Sequence, residues 1–270
     1  MRLILRIAAA LALLVSPLGE TARAETDVDI ELFLAVDVSR SMSPRELEIQ
    51  RRGYAEALTH PDVIKAIRGG WIGQAAITYV EWAGAGSQRI VVDWTLVNDM
   101  ASATAFASKL TAHFVDSMRR TSISGALDYA AASFDGNGFR GTRRVIDVSG
   151  DGPNNSGRPV NYARDETVAR GIVINGLPLM TREGMGSRWH LEELDRYYND
   201  CVIGGPGAFV IPVQEWRHFP EAVRRKLVLE LAAPALPAQP RRPLLHRAQD
   251  SSFDCLIGEK IWDAIMDGYP

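Results

Sequence analysis

The sequence predicts an α/β fold: a doubly wound, mostly parallel six-stranded sheet with one antiparallel edge strand and helices on both faces. Three observations carry this expectation. Apolar runs of strand length alternate with segments of helical spacing between residues 29 and 231. The first of those runs is nearly continuous, as in a strand covered on both faces. Two runs, 73–84 and 88–97, are joined by the tight AGAGS connection and read as an antiparallel hairpin.

The elements follow in order. Residues 29–37 form the first strand. Ser43, Pro44 and Glu46 then read as N-cap, first helical residue and capping-box partner. Leu47, Tyr54 and Leu58 keep helical spacing to about His60, and Pro61 restarts a short second turn. After the hairpin come helices at about 98–112 and 122–134, a strand at 143–152 and a helix near 161–170. The strand 172–179, a helix at about 188–199, the strand 208–213 and a helix at about 215–231 complete the alternation.

Both ends depart from this pattern. Arg2 and Arg6, the apolar run LILRIAAALALLV and the small-residue ARA before Glu25 compose a secretory signal peptide, with cleavage expected after Ala24. The apolar run is short for a membrane span. Cleavage removes three arginines and one glutamate, so the formal charge moves from −3 to −5. That mild acidity, without a basic stripe, argues against nucleic acid as a partner. A secreted or periplasmic location is expected, with one domain over 25–231. At the other end, residues 232–249 hold four prolines and read as an extended surface loop. The tail regains amphipathic spacing through Leu256, Ile261 and Ile265. Cys201 and Cys255 are the two cysteines, and an oxidising compartment favours pairing them, which would pin the tail back. With no CxxC pair and five scattered histidines, the chain supports neither a zinc site nor a dithiol centre.

Three predicted loops carry oxygen-bearing side chains. Asp37-x-Ser39-x-Ser41 leaves the first strand, Thr121 stands just before a helix, and Asp151 follows the strand at 143–152. In an open α/β sheet, ligands bind beyond the carboxyl ends of the strands, where connections part to opposite faces. Hydroxyls and carboxylates are hard ligands suited to Mg²⁺, which keeps several waters. Read alone, the serines are turn and cap residues, and Ser43 serves as a cap.

The five residues together resemble the metal-ion-dependent adhesion site of the von Willebrand factor type A domain, over about residues 28–231. More narrowly, IDVSGDGPNN and RRKLVLE look like a family of secreted bacterial proteins of unknown function built on that domain. The resemblance implies that Ser39, Ser41 and Thr121 ligate Mg²⁺ (or Mn²⁺ or Ca²⁺) directly. Asp37 and Asp151 would act partly through water, and Asn154 and Asn155 would shape the loop. An open coordination position would take a Glu or Asp from a protein partner. Asp147 departs from the pattern: a carboxylate inside a covered strand is costly unless paired. An arginine or hydroxyl partner is expected, with Asp147 steadying the metal loop from behind. Two other functions are open at this point. One is a hydrolase or phosphoryl-transfer enzyme with Asp37 as nucleophile, and the other is a metal-free scaffold. Against the first, Ser39 stands where such a phosphatase would want a carboxylate, and no lysine belongs to a site loop.

Overall fold

The computed structural model describes residues 24–112, 117–181, 191–232 and 253–267. The expectations for the signal peptide, for most of the proline-rich stretch and for the start of the helix at 188 lie outside those residues. In chain order the elements are β1 (Thr26–Val28), β2 (Ile30–Asp37), α1 (Pro44–Leu58), α2 (Pro61–Arg68), β3 (Ala75–Trp82) and β4 (Gln88–Val97). Next come α3 (Met100–Thr111), α4 (Ile123–Ser133), β5 (Phe139–Gly141), β6 (Arg144–Gly150), α5 (Val160–Ala169) and β7 (Ile172–Pro178). The last are α6 (Leu194–Tyr197), α7 (Phe219–Ala232) and α8 (Ile257–Asp267).

Local chemistry sets the helix starts. Ser43 caps α1 in a full capping box: Glu46 N donates to Ser43 Oγ at 3.3 Å, and Ser43 N donates to Glu46 Oε2 at 2.6 Å. Pro44 supplies the first helical residue with no donor to lose. Glu46 is then used twice, because its Oε1 accepts from the Trp216 indole at 2.9 Å. That bond ties the start of α1 to the turn before α7.

The main sheet has five strands in the order β4-β3-β2-β6-β7. All pairs are parallel except β3 with β4, the predicted hairpin at one edge. The predicted sixth strand, 208–213, runs along β7 but makes only isolated bridges, Gly176 to Val210 and Leu179 to Val213. Ile211 N and Val213 N donate to β7, but Pro178 has no N–H to return, so the ladder is interrupted there. A feature absent from the prediction is a second, two-stranded parallel sheet of β1 and β5.

Alternation along β2 divides the core. Ile30, Leu32, Leu34 and Val36 face one side with Leu47, Tyr54 and Leu58 of α1 and with Leu227 of α7. Phe33 and Ala35 face the other, with residues of α4 and α5 such as Leu127, Val160 and Ala163. Tyr54 stands edge-on to Tyr79 and to Phe219, with ring centroids 5.3 and 5.8 Å apart, and each such pair adds about 0.5–1.5 kcal/mol to area burial. The connection after β2 therefore goes to one face and the connection after β6 to the other. These strands are neighbours, so the sheet has its switch point between their carboxyl ends.

Candidate metal centre

Strand register brings the first and third predicted loops together. Val36 is the partner of Ser149, so the chain leaves β2 at Asp37 and β6 at Gly150 side by side. The second loop is pinned to the same end. Met118 N donates to Val38 O at 2.8 Å, and Ser122 N donates to Ala83 O at 2.7 Å. Ser39, Ser41, Thr121 and Asp151 line one cavity of about 710 Å³. Asp37 is fully buried beside them and joins the group through its Oδ1, which accepts from Ser39 N at 2.6 Å.

The hydroxyls form a directed chain. Ser41 Oγ donates to Asp151 Oδ1 at 2.8 Å and lies 2.9 Å from Ser39 Oγ. A hydroxyl has one proton, so Ser39 donates to Ser41 and Ser41 to Asp151. Thr121 is set by a neighbour that the sequence reading treated only as a shaper of the loop. Asn155 Oδ1 accepts from Thr121 N at 2.9 Å, while Asn155 N donates to Thr121 O at 2.8 Å. Asn154 does the same work one residue earlier: its Oδ1 accepts from Ser124 N at 3.0 Å. Both asparagines hold the second and third loops to each other.

Electrostatics tests whether these residues fit a cation. Burial, and then the adjacent Asp151, push the Asp37 carboxyl well above the usual carboxylate range. Burial pushes Asp151 up to about 6, against the opposing hydrogen bond from Ser41. Asp37 Oδ2 is buried with no hydrogen-bond partner among the described residues. A fully buried carboxylate with an unused oxygen and a half-buried one lie beside a hydroxyl chain whose proton ends on Asp151, so that each hydroxyl still has a lone pair to offer. This donor set fits a hard divalent cation. Among the described residues there is no group of three or more His, Cys, Asp or Glu side chains placed to hold a metal. Any metal here would rest on two carboxylates and three hydroxyls.

Asp147 is buried in β6, and its partner corrects the expectation of an arginine or hydroxyl. Lys226 Nζ, from α7, lies 2.7 Å from Asp147 Oδ1. The same ammonium donates to Glu230 Oε1 at 2.6 Å, which also accepts from Asn175 Nδ2 at 2.8 Å. The ammonium is aimed at Glu230, and Asp147 sits within ion-pair reach but off the hydrogen-bond line. A lysine was the harder partner to foresee because it comes from a helix nearly eighty residues downstream.

One ammonium serves two carboxylates, and burial pushes Asp147 up to about 7, with Lys226 opposing and Glu230 adding to the shift. Tyr54 of α1 and Tyr198, both neutral with hydroxyl pKa values raised by burial, also face this charge. The sign follows from proton counting. Between about pH 4 and 7 the folded chain keeps a proton on Asp147 that the unfolded chain releases, so stability falls as pH rises through that window. In chelator-treated protein, Asp147→Asn removes this contribution. Its unfolding free energy relative to wild type is expected to climb from pH 4 to 7 and then level off. Urea titrations at four pH values check it; a difference independent of pH refutes it.

Two further features border the cleft, and neither stands out from residue type or spacing alone. The first is Gly150. A Cβ there would lie 2.8 Å from the Tyr198 hydroxyl and 2.9 Å from Asp37 Oδ2, so both groups press against its backbone. The second is α8. Gly258, Ile261, Trp262 and Met266 line the same cavity as the hydroxyls. A Cys201–Cys255 disulfide with Cα atoms 5.5 Å apart holds the start of the tail, as expected. Amphipathic spacing foretold the helix, but nothing in it told where the helix docks.

No curated protein matches the sequence. A family model described as "Protein of unknown function (DUF1194)" matches residues 27–235. Among solved structures, proximal thread matrix protein 1 from the mussel byssus superposes with a TM-score of 0.57 at 13% identity, covering 77% of this chain and 49% of that one. A second structure of that protein, with a zinc-occupied MIDAS motif, gives 0.53 at 14% identity with the same coverage. A von Willebrand factor type A protein from Catenulispora acidiphila gives 0.52 at 18% identity, covering 77% of this chain and 43% of that one. This chain thus spans less than half the length of each of these three solved chains. The similarity is one of fold, and the fold is that of the von Willebrand factor type A domain.

Proposed function

The chain belongs to the DUF1194 family of proteins of unknown function, and from its fold and oxygen-lined cleft we propose that it is a secreted, metal-dependent protein-binding module. In this reading Ser39, Ser41 and Thr121 hold Mg²⁺ or Mn²⁺, and Asp37 and Asp151 orient the hydroxyls and balance its charge. The bound ion would supply a Lewis-acidic position for a Glu or Asp of a partner. The observation that carries the reading is Asp37 Oδ2, buried without a hydrogen-bond partner among the described residues at the head of a hydroxyl chain that ends on Asp151. The zinc held in the mussel protein's MIDAS motif and the pilus adhesin SpaC of Lactobacillus rhamnosus GG, which superposes at a TM-score of 0.55 and 12% identity over 77% of this chain and 32% of that one, support the same direction.

The same geometry weighs against Asp37 as a nucleophile. A nucleophile must reach its substrate, whereas Asp37 is 0% exposed and one of its oxygens is taken by Ser39 N. Among the described residues no helix is long and apolar enough to cross a membrane, which is compatible with release after signal-peptide cleavage.

Calorimetry on chelator-stripped protein is expected to register uptake of one Mg²⁺ or Mn²⁺ per chain. At a hundred times its Kd the ion should stabilise the fold by about 2.7 kcal/mol, a rise in Tm of about 5–10 °C for a domain of this size. Ser39→Ala and Thr121→Ala should lose most of this response. Equal Tm values with metal and with chelator in the wild type would defeat the proposal.

A further inference from the structure

The cleft is larger and less polar than a site for one carboxylate requires. Its floor is Ser39, Ser41, Thr121 and Asp151, but its far wall is the apolar face of α8: Ile261, Trp262 and Met266. Three cations, Arg40, Arg119 and Arg120, stand around it, and all three are exposed. The acidic residues of α8, Glu259, Asp263 and Asp267, are not among the lining residues. A volume of about 710 Å³ lies in the range that takes a ligand of several groups, and an acidic side chain occupies only a fraction of it.

The apolar wall is also a fixed part of the site. The Cys201–Cys255 disulfide holds the chain just before α8. Gly258 is pressed so closely on the third loop that a Cβ would stand 2.0 Å from Asn154 O. Asn154 Nδ2 donates to Glu259 Oε1 at 2.7 Å. On the second loop, the Arg120 guanidinium lies 3.5 Å from the centroid of the Trp262 ring. Arg120 has φ +72°, a left-handed conformation that a non-glycine residue adopts at a cost. The stack and the strained backbone place a cation on the edge of the apolar wall, immediately before Thr121. The contacts of Gly258, Glu259 and Trp262 each join α8 to a loop that also carries a candidate ligand.

We propose that this cleft reads a two-residue signature in an extended segment of a protein partner: an acidic side chain on the metal and, next to it, a large apolar side chain against Ile261, Trp262 and Met266. The argument is charge complementarity beside an apolar wall. With the ion balanced by Asp37 and Asp151, the three arginines leave the mouth cationic, which draws an acidic segment. The apolar wall then distinguishes one acidic segment from another, as hydrophobic subsites do. The inference rests on the metal-dependent binding reading above and names the partner chemistry for that same site.

The test uses the full mature chain and fluorescent hexapeptides with a central Asp-Leu, Leu-Asp, Asp-Ser or Asn-Leu pair in a Gly-Ser background. Anisotropy is recorded in Mg²⁺ and in chelator, alongside calorimetric Mg²⁺ uptake. In Mg²⁺, one of the two Asp/Leu orders should bind about tenfold more tightly than Asp-Ser, a discrimination typical of one apolar subsite. The Asn-Leu peptide should not bind. Met266→Ser and Trp262→Ala should each narrow the Leu-over-Ser preference to about twofold or less, with Met266→Ser retaining Mg²⁺ uptake. Chelator-sensitive binding of aspartate peptides that ignores the neighbouring residue overturns this inference and leaves the metal reading standing. Normal Mg²⁺ uptake with no peptide bound overturns it as well. Absence of Mg²⁺ uptake brings down the metal reading first, and this inference with it.

Discussion

Lys226→Met is expected to destabilise the fold by about 3–5 kcal/mol, the cost of leaving a buried charge without its partner. Lys226 is fully buried, with Asp147 Oδ1 at 2.7 Å and Glu230 Oε1 at 2.6 Å. Methionine has a similar length, so the substitution removes charge and little volume. What remains is a pair of acids in the core, with Asn175 Nδ2 donating to the Glu230 carboxylate and Arg143 to its main-chain oxygen. Adding Glu230→Gln and Asp147→Asn to Lys226→Met should recover much of the loss, because neutral amides leave no uncompensated charge. Urea unfolding of the single and triple variants decides it. A single variant within about 1 kcal/mol of wild type would show that the ammonium is not the counter-charge that the geometry indicates.

The second large effect is expected at the metal cleft. Gly150→Val should lower metal affinity about ten- to a hundredfold, an effect seen when the groups that orient metal ligands are displaced, and should cost about 1–3 kcal/mol of stability from overpacking. The physical cause is space. The first added carbon already falls 2.8 Å from the Tyr198 hydroxyl and 2.9 Å from Asp37 Oδ2, and 3.3 Å from Asp37 Cβ. Tyr198 cannot retreat easily, since it is fully buried and packs edge-on to Tyr197 with ring centroids 6.3 Å apart. Asp37 is the group that must give way, and its displacement carries Ser39 with it through the 2.6 Å bond. Mg²⁺ titration of the Tm in wild type, Gly150→Ala and Gly150→Val should show a graded loss. An unaltered metal response in Gly150→Val would mean that Asp37 does not contribute to the site.

Much of this architecture is legible in the sequence because local chemistry and periodicity govern it. The capping box at Ser43 and Glu46, the buried run of β2, the hairpin and the positions of Asp37, Thr121 and Asp151 at element boundaries all follow from spacing and residue type. The cystine is also legible, since the sequence holds two cysteines and each has only the other to pair with. The failures are of a different physical kind. The sixth strand has the right apolar pattern, but proline at 178 withdraws a donor from the middle of the pairing, a fact visible only once the two segments are known to be neighbours. The partner of Asp147 and the docking of α8 on the cleft are tertiary contacts between distant residues, and periodicity carries no information about them. Arg119 and Arg120 precede Thr121 directly and were legible as neighbours of the site, although not as its cationic mouth.

The short pairing of β1 with β5 has a consequence for the order of assembly. Thr26 through Val28 pair with Phe139 through Gly141, while their continuation, β2, sits at the centre of the main sheet. The edge of β1 is therefore covered only once more than a hundred later residues have joined the chain. Loop closure over that distance is entropically late. Because β2 likewise waits for β6, which directly follows β5, the amino-terminal segment and the centre of the sheet close together, late in the making of the chain.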